Sequence, residues 1–147
     1  MDISKLIERH YSALKGRGFK GYDVYDGLNS RIFRNSPCFR SRNLRLAWIQ
    51  LFKRSPINFR TLALVPEGYN AKELALLIKG LLNLFKFTGE EGYLQQALRL
   101  ADIIISQRAG DRDYFCVGYN FFWEAKAFSV PEFTPNMIVS SFVGQAF

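Results

Sequence analysis

The sequence predicts an all-α fold built of helical hairpins. Its 147 residues are the length of one domain, and a domain of this size buries roughly two thirds of the surface that its unfolded chain exposes. Hydrophobic residues make up 48% of the chain and aromatic residues 16%, so large side chains are available to fill a core. The only hydrophobic period that persists over a long stretch is helical.

The clearest helical hairpin follows Pro66. Apolar residues after Asn70 cover more than half of a helix circumference, and Asn70 and Glu73 have the spacing of a capping box. Thr88 and Gly89 predict the turn, and a helix with a one-sided apolar stripe follows it. We expect the facing stripes of the two helices to be buried in one core: Leu77, Leu81, Leu84, Leu98, Ala101 and Ile105.

The other predicted helices show apolar residues at helical spacing, and residues at their ends support them. The first ends at Gly16, where a C-terminal glycine is expected. Asn43 can cap a second helix, and Thr134 can cap a last helix that is still apolar at Phe147. The segment between Gly21 and Ser41 has no period and is predicted to be a long loop. The predicted helices cover residues 2–15, 43–53, 71–87, 91–108 and 135–147, with no sheet of more than two short strands.

Composition excludes several classes of function. Lysine and arginine number 20 against 13 acidic residues, for a net charge of +7, but the chain contains no known nucleic-acid-binding module, so nucleic acid is not a predicted partner. Cys38 and Cys116 are far apart and His10 is the single histidine, so no metal or cofactor site is predicted. The N-terminus lacks the apolar stretch of a signal peptide, and no apolar run has the length of a membrane span. We expect a cytoplasmic protein that makes no contact with a membrane.

Two segments concentrate polar and aromatic side chains: residues 21–30 (GYDVYDGLNS) and residues 118–126 (GYNFFWEAK). Aromatic rings stack against the apolar faces of sugars, and carboxyl groups bind hydroxyls or protonate a glycosidic oxygen. The acidic residues of these segments are the candidate catalytic groups: Asp23, Asp26 and Glu124. The candidate substrate-binding residues are Tyr22, Asn29, Tyr119, Asn120 and Trp123. Structural roles stay open as well, since Asp26 precedes a glycine in a turn, Asn29 can cap a helix and Trp123 can fill a core.

These segments also carry a family resemblance. The hairpin GLLNLFKFTGEEGYLQQALRLADIIIS, together with GYDVYDGLNS, RLAWIQLFKRSPINFR and CVGYNFFWEAKAFSVPEFTPNMIVSSFVGQAF, is similar to the N-terminal part of an uncharacterised bacterial and archaeal family of six-hairpin glycosidase-like proteins. That family is often associated with polysaccharide or lipopolysaccharide biosynthesis. The resemblance covers about residues 20–147.

The resemblance implies an incomplete α/α toroid, in which residues 1–147 form a single helical domain, the N-terminal portion of a larger ring of hairpins. It implies a truncated carbohydrate-active or carbohydrate-binding protein whose partners are a carbohydrate and the remaining half of the toroid. If the parent is a glycoside hydrolase-like or sugar-modifying enzyme, the isolated chain is expected to be inactive. Loops at one rim of such a fold build the sugar pocket, so Tyr119 and Trp123 should lie near Asp23 or Asp26.

The alternative is a non-catalytic helical scaffold or protein-interaction domain. The apolar face of the last predicted helix continues to the final residue, which is typical of a sequence that continues in its relatives or of a surface that binds another polypeptide. On both interpretations the last helix presents an exposed apolar patch that would allow self-association: Phe142, Val143, Ala146 and Phe147.

Overall fold

The computed structural model describes residues 2–110 and 113–147. Six α-helices occur in this part of the chain: α1 (Ile3–Gly16), α2 (Arg31–Arg34), α3 (Arg42–Arg54), α4 (Ala71–Thr88), α5 (Glu91–Ser106) and α6 (Met137–Gly144). Single turns of 3-10 helix span Asp26–Asn29 and Pro37–Arg40. Two short strands, β1 (Trp123–Glu124) and β2 (Ser129–Val130), pair antiparallel with Trp123 opposite Val130.

The predicted all-α class and toroid architecture are wrong. The fold is mostly helical but also contains the two-stranded antiparallel sheet, and a ring of hairpins is not recognisable in the described residues. Helices α4 and α5 form the one hairpin of the predicted kind in that part of the chain, whereas α3 packs against the single-turn helices and β1. The toroid prediction failed because the rest of the fold is built from loops with aromatic side chains and not from further hairpins. These loops have no helical period.

The five predicted helices are present, with ends within about three residues of the predicted ones. The side chain of Asn70 caps α4 by accepting a hydrogen bond from the backbone N–H of Lys72 at 3.1 Å, and Gly89 ends this helix in the left-handed region with φ 74°. Helix α6 is capped by Asn136 instead of Thr134. The single turn of α2 lies inside the predicted loop and is too short to show a period.

The main core lies between α4, α5 and α6. The facing stripe of α4 was predicted correctly at Leu81, which is buried, but Leu98 and Ile105 of α5 are 52% and 53% exposed. The buried stripe of α5 is centred instead on Leu100 and Ile104, both fully buried. The apolar residues of α5 cover a wider arc than α4 can contact, so the sequence pattern alone does not locate the centre of the contact.

Truncation of Leu81 should therefore be costly. Leu81→Ala is expected to lower the free energy of unfolding by about 2–5 kcal/mol, because it leaves a cavity between packed helices. Leu98→Ala is the matched control on α5 and should cost less than about 1 kcal/mol, since that side chain is half exposed. Urea unfolding of both variants measures the difference, and equal losses would contradict the assigned stripe.

A second core is built from aromatic residues around α3. The rings of Phe33 and Trp48 stack with centroids 4.6 Å apart, and the indole N–H of Trp48 donates a hydrogen bond to the carbonyl of Gly27 at 2.9 Å. Leu28 and Ile49 are buried in the same cluster. The loop predicted between Gly21 and Ser41 is therefore tied to α3 along its length, which fixes the acidic residues that it carries.

Helix α6 does not present the predicted apolar patch. Val143 and Ala146 are buried, and Phe142 packs against the main core, because α6 lies against α4. Of the four residues predicted to be exposed, Phe147 alone is, at 61%.

A different apolar surface lies between α1 and α4. It is a groove of about 590 Å³ whose walls include Leu6, Leu14 and Leu77. Phe87, at its edge, is 89% exposed. Among the described residues, no helix combines the length and the apolar character that a bilayer crossing requires.

Candidate functional site

The acidic loop is attached to the segment that precedes α4. Gly21 and Gly68 exchange two backbone hydrogen bonds, of 3.1 and 3.0 Å, in an antiparallel bridge. This bridge sets the loop beside the N-terminus of α4. As a result, Asp23 accepts a hydrogen bond from the side-chain amide of Asn70 at 3.0 Å.

A cleft of about 370 Å³ opens where this loop, the N-terminal end of α4 and residues 119–123 meet. Its aromatic wall consists of Tyr25, Tyr119, Phe121 and Trp123. Its polar groups are Asp23, Asn70, Lys72 and Glu73, and Val24 and Leu76 complete the lining. We call this site the aromatic cleft.

The rings of the aromatic cleft hold one another in place. Tyr119 stacks on Phe121 with centroids 4.9 Å apart and meets Trp123 edge to face at 5.8 Å. The ring centroid of Tyr25 lies 6.2 Å from that of Trp123, and Phe128 meets the indole edge to face with centroids 5.1 Å apart. Such offset and edge-to-face arrangements are the favoured geometries of aromatic pairs, so the wall is preorganised.

Asp23 is oriented by neutral donors. Its Oδ1 accepts from the backbone N–H of Tyr25 at 2.9 Å, while Oδ2 accepts the Asn70 amide. The side chain is half-buried. These bonds occupy only part of the acceptor capacity of a carboxylate, so Asp23 can still bind a donor inside the cleft.

Glu73 is a cleft residue that the sequence pattern assigned to helix capping. In the structure the cap is made by the side chain of Asn70, and Glu73 lines the cleft instead. Loss of hydration raises the pKa of Glu73, the negative charges of Asp23 and Asp26 raise it further, and Lys72 opposes them. The cleft thus brings together two carboxyl groups, one of which has an increased affinity for a proton.

Tyr119 supplies a hydroxyl group next to these acids. Burial raises the pKa of Tyr119, and the charge of Asp23 adds to the effect. The phenol therefore stays protonated at neutral pH and can donate a hydrogen bond.

Asp26 does not line the aromatic cleft. It is buried and pairs with Arg60, whose Nε donates to its Oδ1 at 2.8 Å, and it also accepts from the backbone N–H of Asp23 at 2.9 Å. Burial raises the pKa of Asp26, although the hydrogen bond and charge of Arg60 oppose the shift. Tyr22 belongs to the same group, because its ring lies under the Arg60 guanidinium at 5.6 Å. Both residues hold the loop in place.

Glu124 is likewise enclosed in an ion-pair network. Its carboxylate accepts from Arg45 at 2.7 Å, from Arg42 at 3.1 Å and from the hydroxyl of Ser129 at 2.5 Å. Burial by itself would raise the pKa of Glu124, but the hydrogen bonds from Ser129 and the two arginines, with the charge of Arg45, lower it. This carboxylate joins β1 and β2 to α3 and has no exposed side-chain surface.

Asn29 and Asn120 line a separate polar pocket, also of about 370 Å³. The Asn29 amide donates to the carbonyl of Asn120 at 2.9 Å and accepts from Arg34 at 3.0 Å. The predicted site residues are thus divided. Asp23, Tyr119 and Trp123 share the aromatic cleft, whereas the other five lie outside its lining.

Several cleft residues were not among the predicted site residues: Tyr25, Asn70, Lys72, Glu73 and Phe121. Tyr25 lies in one of the two segments singled out by composition and Phe121 in the other, so a broader selection of their aromatic residues would have included both. Among the described residues, no cluster of three histidine, cysteine or acidic side chains could hold a metal ion.

No protein-family model, curated protein or solved structure matches this chain.

Proposed function

We propose that the protein binds carbohydrate in the aromatic cleft. The observation that carries the proposal is the placement of Tyr25, Tyr119 and Trp123 around one cavity with Asp23 and Glu73. The rings offer flat apolar surfaces for the C–H face of a sugar, and the carboxyl groups accept hydrogen bonds from its hydroxyls. The resemblance to glycosidase-like proteins supports the same ligand class and suggests polysaccharide or lipopolysaccharide biosynthesis as the setting.

The cleft has the dimensions of a ligand site for one or two sugar units. Its volume of about 370 Å³ lies within the usual range for small-molecule pockets, of about 300–1,000 Å³. Its walls come from a loop, a helix end and residues 119–123, and the Gly21–Gly68 bridge and Glu124 hold them in place. A fixed site loses little conformational entropy when the ligand binds.

Removal of the indole should abolish most of the affinity. Trp123→Ala is expected to weaken binding of the best oligosaccharide on a glycan array by at least about tenfold, because buried aromatic contacts dominate binding energy. Phe87→Ala removes an exposed ring outside the cleft and is the matched control, with unchanged affinity. Tyr119→Phe removes one hydroxyl alone and should weaken binding by a smaller factor while leaving the fold intact.

Isothermal titration calorimetry of the three variants gives the affinities, and near-ultraviolet circular dichroism checks their packing. Equal affinity of folded Trp123→Ala, Tyr119→Phe and wild-type protein would contradict the proposal. A glycan array of neutral, amino and acidic sugars that gives no ligand would also contradict the proposal. That result would favour the alternative of a helical interaction domain.

A further inference from the structure

The charge inside the aromatic cleft is opposite in sign to that of the protein. The chain carries a net charge of +7, but the ionisable residues at the cleft lining, apart from its tyrosines, are two acids and one lysine: Asp23, Glu73 and Lys72. Anionic ligands are therefore attracted by the protein as a whole and repelled by the cleft itself.

Neither acid of the cleft belongs to an ion pair among the described residues. The ion pairs within the described part of the chain use Asp26, Glu67, Glu124 and Glu132. None involves Asp23 or Glu73. Asp23 is bound by an amide and a backbone N–H, both neutral donors, so its carboxylate is oriented without an ion pair.

Lys72 favours the ionised form of Glu73 but forms no ion pair with either acid. Its ammonium lies over the ring of Phe142 on α6, 4.9 Å from the centroid, and Phe142 does not line the cleft. This cation–π contact engages the one lysine of the cleft with a residue outside it.

The aromatic wall favours a cation as well. Ring faces carry negative electrostatic potential, and ammonium groups bind to them within about 6 Å of the centroid. Phe121 is buried, and Lys53 already lies over the Tyr25 ring at 5.1 Å. The rings that remain for a cation are therefore Tyr119 and Trp123, beside the two carboxyl groups. The local chemistry fits a ligand that has both an apolar face and a positive charge.

We infer that the aromatic cleft selects sugars with a free amino group over N-acetylated, neutral or acidic sugars; this inference rests on the proposed function. The glucosamine units of a de-N-acetylated polysaccharide are sugars of this kind. The ammonium group forms charge-assisted hydrogen bonds to Asp23 and Glu73 while the sugar ring stacks on the aromatic wall. Acetylation removes the charge, and a uronic acid places a second anion beside two carboxyl groups.

The test compares four tetrasaccharides by isothermal titration calorimetry: β-1,4-linked glucosamine, its fully N-acetylated form, cellotetraose and a tetrasaccharide of glucuronic acid. The glucosamine tetrasaccharide is expected to bind at least about tenfold more tightly than cellotetraose. Added salt should reduce this preference, because it screens the charges. The glucuronic acid tetrasaccharide is expected to bind most weakly.

Paired variants separate the role of charge from that of stacking. The double variant Asp23→Asn/Glu73→Gln removes both charges and should bind the glucosamine tetrasaccharide and cellotetraose with equal affinity. Glu67→Gln removes a carboxylate outside the cleft, paired with Arg17, and is expected to leave the preference unchanged.

The two proposals fail in different ways. Binding of glucosamine and N-acetylglucosamine tetrasaccharides with equal affinity, unaffected by the double variant, would overturn the inference and leave carbohydrate binding intact. A preference lost equally in Glu67→Gln would also overturn it, because net charge would then be the cause. The absence of binding to all four sugars and to a glycan array would overturn the proposed function itself.

Discussion

Replacement of Glu124 by alanine is expected to lower the free energy of unfolding by about 3–5 kcal/mol, because it leaves two arginines without their buried counter-ion. The Glu124 side chain has no exposed surface, and that of Arg45 is 15% exposed. The Glu124 carboxylate accepts hydrogen bonds from Arg42, Arg45 and Ser129, which join the sheet to α3. Urea unfolding at neutral pH measures the loss.

Glu132→Ala is the matched control for this prediction. Glu132 pairs with Arg34, but both side chains are about one third exposed, so solvent screening limits its effect to about 1 kcal/mol or less. The pH dependence gives a second check. Because the folded state lowers the pKa of Glu124, its stabilisation is present above the ordinary value of 4.5 and is lost as the pH falls through the folded-state pKa. Equal losses in the two variants, with the same acid dependence as wild type, would contradict the assigned network.

Replacement of Gly118 by alanine is expected to cost about 3 kcal/mol or more, because the new methyl group has no space. A Cβ atom at this position would lie 2.0 Å from the carbonyl oxygen of Thr134 and 2.8 Å from its carbonyl carbon. Both are backbone atoms. They are held by hydrogen bonds from Phe133 to Tyr119 and from Asn136 to Val117, so relief of the clash must shift the segment that carries Tyr119.

Gly80→Ala is the opposite case on the same chain. Gly80 lies inside α4, and a Cβ atom there would have no neighbour within 4 Å. Alanine is favoured over glycine in a helix by about 1 kcal/mol, so this variant should be slightly more stable than the wild type. A Gly118→Ala protein as stable as Gly80→Ala would show that residues 133–134 do not pack as described.

The helices could be predicted from the sequence because each has a local signal. Apolar spacing, the Asn70 cap and the glycine after Thr88 act within a few residues of one another. The sheet could not be predicted in the same way, since strands of two residues show no alternation. The all-α prediction failed at that point.

The candidate site was predictable only in part. Composition identified the two segments that bring Asp23, Tyr119 and Trp123 together. It could not distinguish these residues from Asp26 and Glu124, because their arginine partners lie 34 and about 80 residues away in the sequence. Whether a carboxylate faces a cleft or an arginine is decided by tertiary contacts.

The sequence position of Glu73 fits two roles, one in helix capping and one in the cleft. Its spacing from Asn70 is that of a capping box, and the same spacing places it one turn into α4 at the edge of the cleft. The side chain of Asn70 accepts the capping hydrogen bond from Lys72 by itself. The carboxyl group of Glu73 is therefore left to the cleft.

The most direct test of carbohydrate binding in the aromatic cleft uses the two tryptophans of the chain. Trp123 lines the cleft, whereas Trp48 packs in the aromatic core and donates its indole N–H to Gly27. In a ¹⁵N–¹H correlation spectrum recorded during titration with the glucosamine tetrasaccharide, the indole signal of Trp123 should shift to saturation while that of Trp48 stays in place. If neither indole signal moves with this tetrasaccharide or with any of the other three, carbohydrate binding in the aromatic cleft is contradicted.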